Sequence, residues 1–206
     1  MKLSRLLIFT ALIALAAIIY FSLKGGLSEK EFIEEITKER EEKTDFLKKG
    51  EGSPFATLPE EFKNLKYYKP DLNYRINATL TPIQDKNVIV LSTSDGKEQK
   101  YLAYAHATFT LDGVECKLLI LEVMEMGPQR GKLFLAFADE TSGRETYGAG
   151  RYLDIKKVPV ATSVLLDFNK AYNPYCAYND SYSCPFPPSE NVLKVAIRAG
   201  EMSYHE

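Results

Sequence analysis

No tryptophan and only two histidines occur among the 206 residues. A histidine-built metal centre or a two-histidine catalytic site therefore has almost no room. Neither sign of charge dominates: 26 basic and 28 acidic residues leave a formal net charge of -2. Nothing in that balance draws nucleic acid or an acidic substrate to the whole surface, so any anion site must be local. Only three cysteines are present, which leaves one unpaired in any monomeric disulfide scheme. The pair Gly148 and Gly150 lacks the third glycine of a dinucleotide fingerprint and opens no helix, and no phosphate-loop pattern or internal repeat occurs. No cofactor and no metal site is expected.

Apolar residues are concentrated at the start. After Lys2 and Arg5, "LLIFTALIALAAIIYFSL", residues 6 to 23, is uncharged and long enough to cross a bilayer. The following "YFSLKGG" offers no good small-x-small cleavage site. The pattern predicts an uncleaved, single-pass membrane anchor over 1–27, with the globular part on the extracytoplasmic side. Residues 28–49 follow as a helical stalk: Ser28 and Glu31 have capping-box spacing, Glu34 and Lys38 sit at i,i+4, and the apolar positions are sparse. "GEGSP" ends it.

Residues 50–206 read as a β-rich domain. Beyond about residue 70 the apolar period becomes two, with turn signals between short runs. Asp95-Gly96 and Asp112-Gly113 each favour a two-residue hairpin turn. Pairing Leu111 with Val114 puts Phe109, Ala107 and Ala105 on one face with Cys116, Leu118 and Ile120, so Cys116 belongs to the core. His106 falls on the mixed face. Further strands are predicted at 72–82, 132–140, 151–158, 161–169 and 191–200, about eight in all. Without strand-helix alternation, the expected fold is mainly β, an antiparallel sandwich or barrel-like domain.

Two segments hold the chemistry. "TSGRETYGAGRYLD", 141–154, interleaves Gly143, Gly148 and Gly150 with Arg144, Glu145, Tyr147 and Arg151. Glycines allow close backbone approach to a ligand and arginines offer forked donors, although turn glycines with Arg-Glu pairing explain the same pattern. "LDFNKAYNPYCAYNDSYSCPFPP" carries Asp167, Asn169, Tyr172, Asn173, Cys176 and Cys184. Dense proline and tyrosine predict a rigid, packed loop. Its two cysteines form a disulfide in an oxidising compartment, or one is a nucleophile, or both are buried and inert; a thiolate metal site lacks any known spacing. The sequons at Asn77 and Asn179 are attributed to chance.

"FADETSGRETYGAGRYLD" at 137–154 and "LDFNKAYNPYCAYNDSYSCPFPPSENVLKVAIRAGE" at 166–201 resemble the bacterial and archaeal family catalogued as domain of unknown function 1684. A weaker pattern at Arg40, Asp45, Phe62, Leu65 and Tyr74-Arg75 extends the resemblance to residues 38–201. The resemblance implies no activity, but it directs attention to both loops. The expectation is a membrane-anchored envelope domain that binds a small or polymeric ligand through them. Its rivals are a hydrolase using Cys176 or a Glu145/Asp167 carboxylate pair, and an assembly protein contacting an envelope partner.

Overall fold

The computed structural model describes residues 28–57 and 59–205. The chain divides into two compact units, Met1–Glu35 and Ile36–Glu206. In the described part of the first, Ser28 and Glu31 form the expected capping box: the Ser28 amide and hydroxyl both donate to Glu31 Oε2. They begin helix α1 (Glu29–Lys49). The membrane anchor is corrected. Among the described residues no helix is long and apolar enough to cross a membrane. The run 6–23 on which the anchor was placed lies outside the described residues. The single-pass location and the extracytoplasmic side, which rest on that run, are not supported among the described residues.

The stalk reading also fails for the part of α1 in the second unit. Ile36 and Leu47 are buried, and Leu47 joins Phe55, Tyr178 and Tyr204 in an apolar cluster. Arg40 donates to the carbonyls of Tyr68 and Asn169, and Lys43 reaches the Glu201 carboxylate. Sparse apolar spacing suggested a solvated helix because these polar contacts are invisible to hydrophobic periodicity.

Seven strands follow: β1 (Arg75–Pro82), β2 (Val88–Ser92), β3 (Glu98–Leu111), β4 (Val114–Val123), β5 (Leu133–Phe137), β6 (Arg151–Ile155) and β7 (Ser163–Asp167). All pairings are antiparallel, in the order β6-β5-β4-β3-β1-β7, with β2 on the first half of β3. The mainly β, antiparallel expectation holds, but sandwich and barrel are both corrected. There is one sheet, a half-barrel whose end strands β6 and β7 are not hydrogen-bonded to each other.

The 112–113 hairpin has the expected register, Leu111 opposite Val114 and Phe109 opposite Cys116. Asp112 and Gly113 both take positive φ, as a two-residue primed turn requires. At the other hairpin Thr93 N–H bonds to Lys97 O, so the loop is one residue longer than expected. A bulge between Ala103 and Ala105 shifts the period of β3. Ala105, Ala107 and Phe109 therefore face the main core, whereas Tyr101 and Ala103 join Leu119 and Leu121 on the opposite face.

The eighth predicted strand does not form. Residues 192–199 cross the main core with a bend at 194–195, burying Leu193, Val195, Ile197 and Ala199. They meet the 138–140 segment through an isolated bridge from Val192 to Ala138 and single backbone bonds from Leu193 N to Ala138 O and from Glu140 N to Val195 O. The alternation was real but the ladder is not. The carbonyls of Ile197, Ala199 and Glu201 accept from the Arg151 side chain instead.

Candidate functional site

Arg151 opens β6 and is completely buried, as is the Asp139 side chain it meets. Its Nη2 donates to Asp139 Oδ2 at 2.8 Å and to Ile197 O, and Nη1 reaches the carbonyls of Ala199 and Glu201. Asp139 Oδ1 in turn accepts from the Thr141 amide and hydroxyl and from Ile197 N. A buried charge pair needs its remaining lone pairs and protons satisfied, and here only Arg151 Nε is left without a hydrogen-bond partner among the described residues. The forked donor expected to meet a ligand instead staples the 197–201 segment to the sheet.

The rest of the glycine turn is similarly occupied. Glu145 accepts two-pronged bonds from Arg198 and one from Tyr68, and Arg198 foremost holds its carboxyl below the ordinary range. Burial, then Glu145, pushes the Tyr68 hydroxyl up to about 12. Arg144 is exposed. Gly150 has φ +88°, and a Cβ there would lie 2.5 Å from Phe137 O and 2.7 Å from Pro187 Cγ. That close approach is to the protein's own backbone and proline, which explains the glycine without a ligand. Gly143 and Gly148 lie against one another. Asp167 binds Asn169 and lies 3.8 Å from Arg75 Nε, sharing no partner with Glu145. Each of the two carboxylates is thus held by its own set of partners.

The two loops do meet. Tyr152 and Tyr172 exchange backbone hydrogen bonds, Pro187 covers Gly150, and the Tyr147 hydroxyl lies 3.8 Å from Cys176 Sγ. Cys176 and Cys184 are free and buried, sharing a cluster with Ala136 and Tyr152. The Cys176 amide donates to Cys184 Sγ at 3.2 Å. The Cys184 thiol, then the Ser94 and Tyr147 hydroxyls, pull the Cys176 thiol down to about 6 against the opposing effect of burial. The same exchange pushes Cys184 upward, so the pair loses one proton readily and the second with difficulty. Burial raises Tyr147 to about 12. Neither histidine serves this pair: His106 meets Glu190, and His205 lies against the Tyr204 ring.

Beside the cysteines a cleft of about 600 Å³ runs between α1 and the tyrosine loop. Its aromatic wall comprises Tyr152, Tyr172, Tyr175 and Tyr182, with Tyr67, Arg40 and Lys43 on the facing side. Tyr175 and Tyr182 meet edge to face at 5.2 Å, and Tyr152 and Tyr172 at 6.0 Å. Lys43 Nζ stands 4.7 Å from the Tyr172 ring centre while donating to Glu201. Glu201 is a buried hub, bound also by Tyr178 and by Asn173 Nδ2. Of the residues expected from sequence, Asn169, Tyr172 and Cys184 line the cleft; Asn173 supports it through Glu201.

Arg40, Lys43, Asp154, Tyr175, Tyr182 and Glu201 were not among the sequence candidates. All but the first two and Asp154 lie in the quoted loop or at its family-like end, so their proximity to it was the available signal. Among the described residues no cluster of three or more His, Cys, Asp or Glu could hold a metal ion.

No curated protein matches the chain. Among solved structures it is similar to an uncharacterised protein of Haloarcula marismortui, gene locus rrnAC0354, determined by solution NMR. Sequence identity is 34%, the TM-score is 0.65, and the match covers 86% of this chain and 97% of the other. Residues 60–202, which hold the whole sheet and both loops, match the family described as "Protein of unknown function (DUF1684)", and the chain belongs to that family.

Proposed function

We propose that the tyrosine-lined cleft binds a small molecule, or a short stretch of a polymer, that presents ring faces and polar edges. The observation carrying this reading is the convergence of four tyrosines from β6 and the 172–182 loop opposite Arg40 and Lys43, around about 600 Å³. Ligand sites of this size typically combine aromatic walls with a few placed polar groups. Arg144 and Arg151 contribute nothing direct to this site: neither lines it. Saturation-transfer NMR with a panel of oligosaccharides and aromatic carboxylates tests the reading. A binder should lose its signal with Tyr175→Ala or Tyr182→Ala while the melting temperature changes little. Binding that survives both substitutions, or no binder in either class, would sink it.

A second reading, thiol chemistry at Cys176, is favoured by the hydroxyl and thiol donors around its sulfur. With both histidines engaged elsewhere, any such activity runs on a preformed thiolate. Ester turnover abolished by Cys176→Ser would support it, and equal turnover in the variant would remove it.

A further inference from the structure

A second cavity, about 510 Å³, occupies the gap where β6 and β7 fail to close the half-barrel. It is graded from end to end. Leu80, Ile120, Leu133, Ile155 and Val164 give it an apolar base, continuous with the main core. Toward the end of β7 the lining turns polar, with Asp167, Lys170, Asp154 and the Tyr172 ring. Asp167 is 6% exposed, and its Oδ1 caps the following turn through Asn169. Its Oδ2 accepts no hydrogen bond from any described residue, although Arg75 Nε, from a residue that lines the same cavity, stands 3.8 Å from it. A buried acceptor without a donor is costly, and such groups in native proteins require an explanation. An apolar slot ending at a polar cluster, in which one carboxylate oxygen keeps an unfilled hydrogen-bond position, has the chemistry to select an amphiphile.

We propose that the β6–β7 gap is a second ligand site, taking a straight-chain amphiphile whose hydrocarbon lies along the apolar base and whose hydroxyl or ammonium head donates to Asp167 Oδ2. An anionic head can only accept, so it would leave Asp167 Oδ2 without a donor and bring a like charge beside Asp154 and Asp167, which Arg75 and Lys170 at this end offset only in part. The site is independent of the tyrosine cleft in its apolar part and in its acceptor, neither of which the cleft uses.

The test is a titration of the ¹⁵N-labelled full chain with 1-alkanols, n-alkylamines and n-alkanoates of matched length, followed by amide shifts. Alcohols or amines should perturb Leu153–Ile155 and Ser163–Asp167 and should tighten about fourfold per added methylene, the ratio expected of about 0.8 kcal/mol per buried CH₂. Alkanoates of equal length should bind at least tenfold more weakly than amines. Val164→Trp should abolish binding by filling the slot. Asp167→Asn keeps a capping oxygen but places a donor in the slot, so it should weaken amines tenfold or more and improve alkanoates. If alcohols bind and amines do not, or the reverse, the head group is thereby assigned and the site stands. Flat affinity along the chain series, equal binding of alkanoates, or perturbations confined to the tyrosine cleft would overturn the proposal. Tyr175→Ala, which alters only the cleft, should leave the titration unchanged.

Discussion

Arg144 and Arg151 come from the same glycine-rich turn and carry the same charge, yet one is exposed and the other has no accessible surface. The exposed guanidinium adds only a lesser pull on the Glu145 carboxyl, behind that of Arg198. The buried one satisfies a carboxylate and holds three backbone carbonyls of the 197–201 segment. An arginine's value therefore depends on which of its neighbours would be left without a partner, more than on its charge. The same contrast separates the two loops: the glycine turn spends its polar groups on the protein itself, while the tyrosine loop turns rings toward an open cleft.

The sharpest way to break that comparison is to remove both arginines singly. Arg151→Ala leaves Asp139 as an uncompensated buried charge and should cost about 3–5 kcal/mol in urea unfolding. Arg144→Ala should stay within about 0.5 kcal/mol. Comparable losses from the two would erase the distinction.

Asn191 extends it to a neutral side chain. β4 and β5 pair only at Leu121–Phe134 and Glu122–Leu133. Beyond that rung the Asn191 amide fills the space between them, accepting from Leu119 N and donating to the carbonyls of Leu119 and Ala136. Asn191→Ala orphans all three groups and should cost about 2–3 kcal/mol. A loss below 1 kcal/mol would mean that the two strands close the gap by themselves.

Cys176 sharpens the cleft side. Its iodoacetamide labelling should level off above about pH 7, whereas Cys116, whose thiol burial raises, should still be accelerating there. Tyr147→Phe removes one donor and should move the Cys176 inflection upward. An inflection near the free-thiol value of about 8.5 would deny the stabilised thiolate. Because the folded value of about 6 is depressed, the group adds stability that is present above the unfolded value and lost as pH falls through 6. Melting temperature should accordingly rise between about pH 6 and 8.5 in the parent and flatten in Cys176→Ser.

The smallest effect concerns Glu145. Its depressed carboxyl contributes stability above the ordinary carboxylate range and loses it as pH falls through the lower folded value. Glu145→Gln should lower the melting temperature slightly at neutral pH and shallow the acid limb below about pH 4.5, where the parent loses the same contribution. Exposure and solvent screening keep this pair weak. A large shift at neutral pH would show that Glu145 supports the turn through more than Arg198 and Tyr68.

Much of the sheet was legible because strand chemistry is local. Short apolar runs and the turn signals between them marked β1 to β7, and the pair Asp112-Gly113 set the 111/114 register that placed Cys116 in the core. Apolar alternation misled at 191–200, where burial has period two but hydrogen bonds go to Arg151. For the candidate site, the tyrosine-proline-cysteine stretch was readable as a packed loop by composition. The roles of its neighbours were not, since Lys43 and Glu201 lie far apart in sequence and meet at 2.6 Å only after α1 folds onto the domain.

By itself the sequence determined the β character of the domain, the capping box of α1, the tight hairpin at 112–113 and the family, all of which rest on residues close together in the chain. Only the tertiary structure decided that the half-barrel stays open between β6 and β7, that Arg151 faces inward, and that two loops and a helix enclose a cleft. Those outcomes depend on which distant polar groups satisfy one another once water is excluded, and no local pattern encodes that partnership.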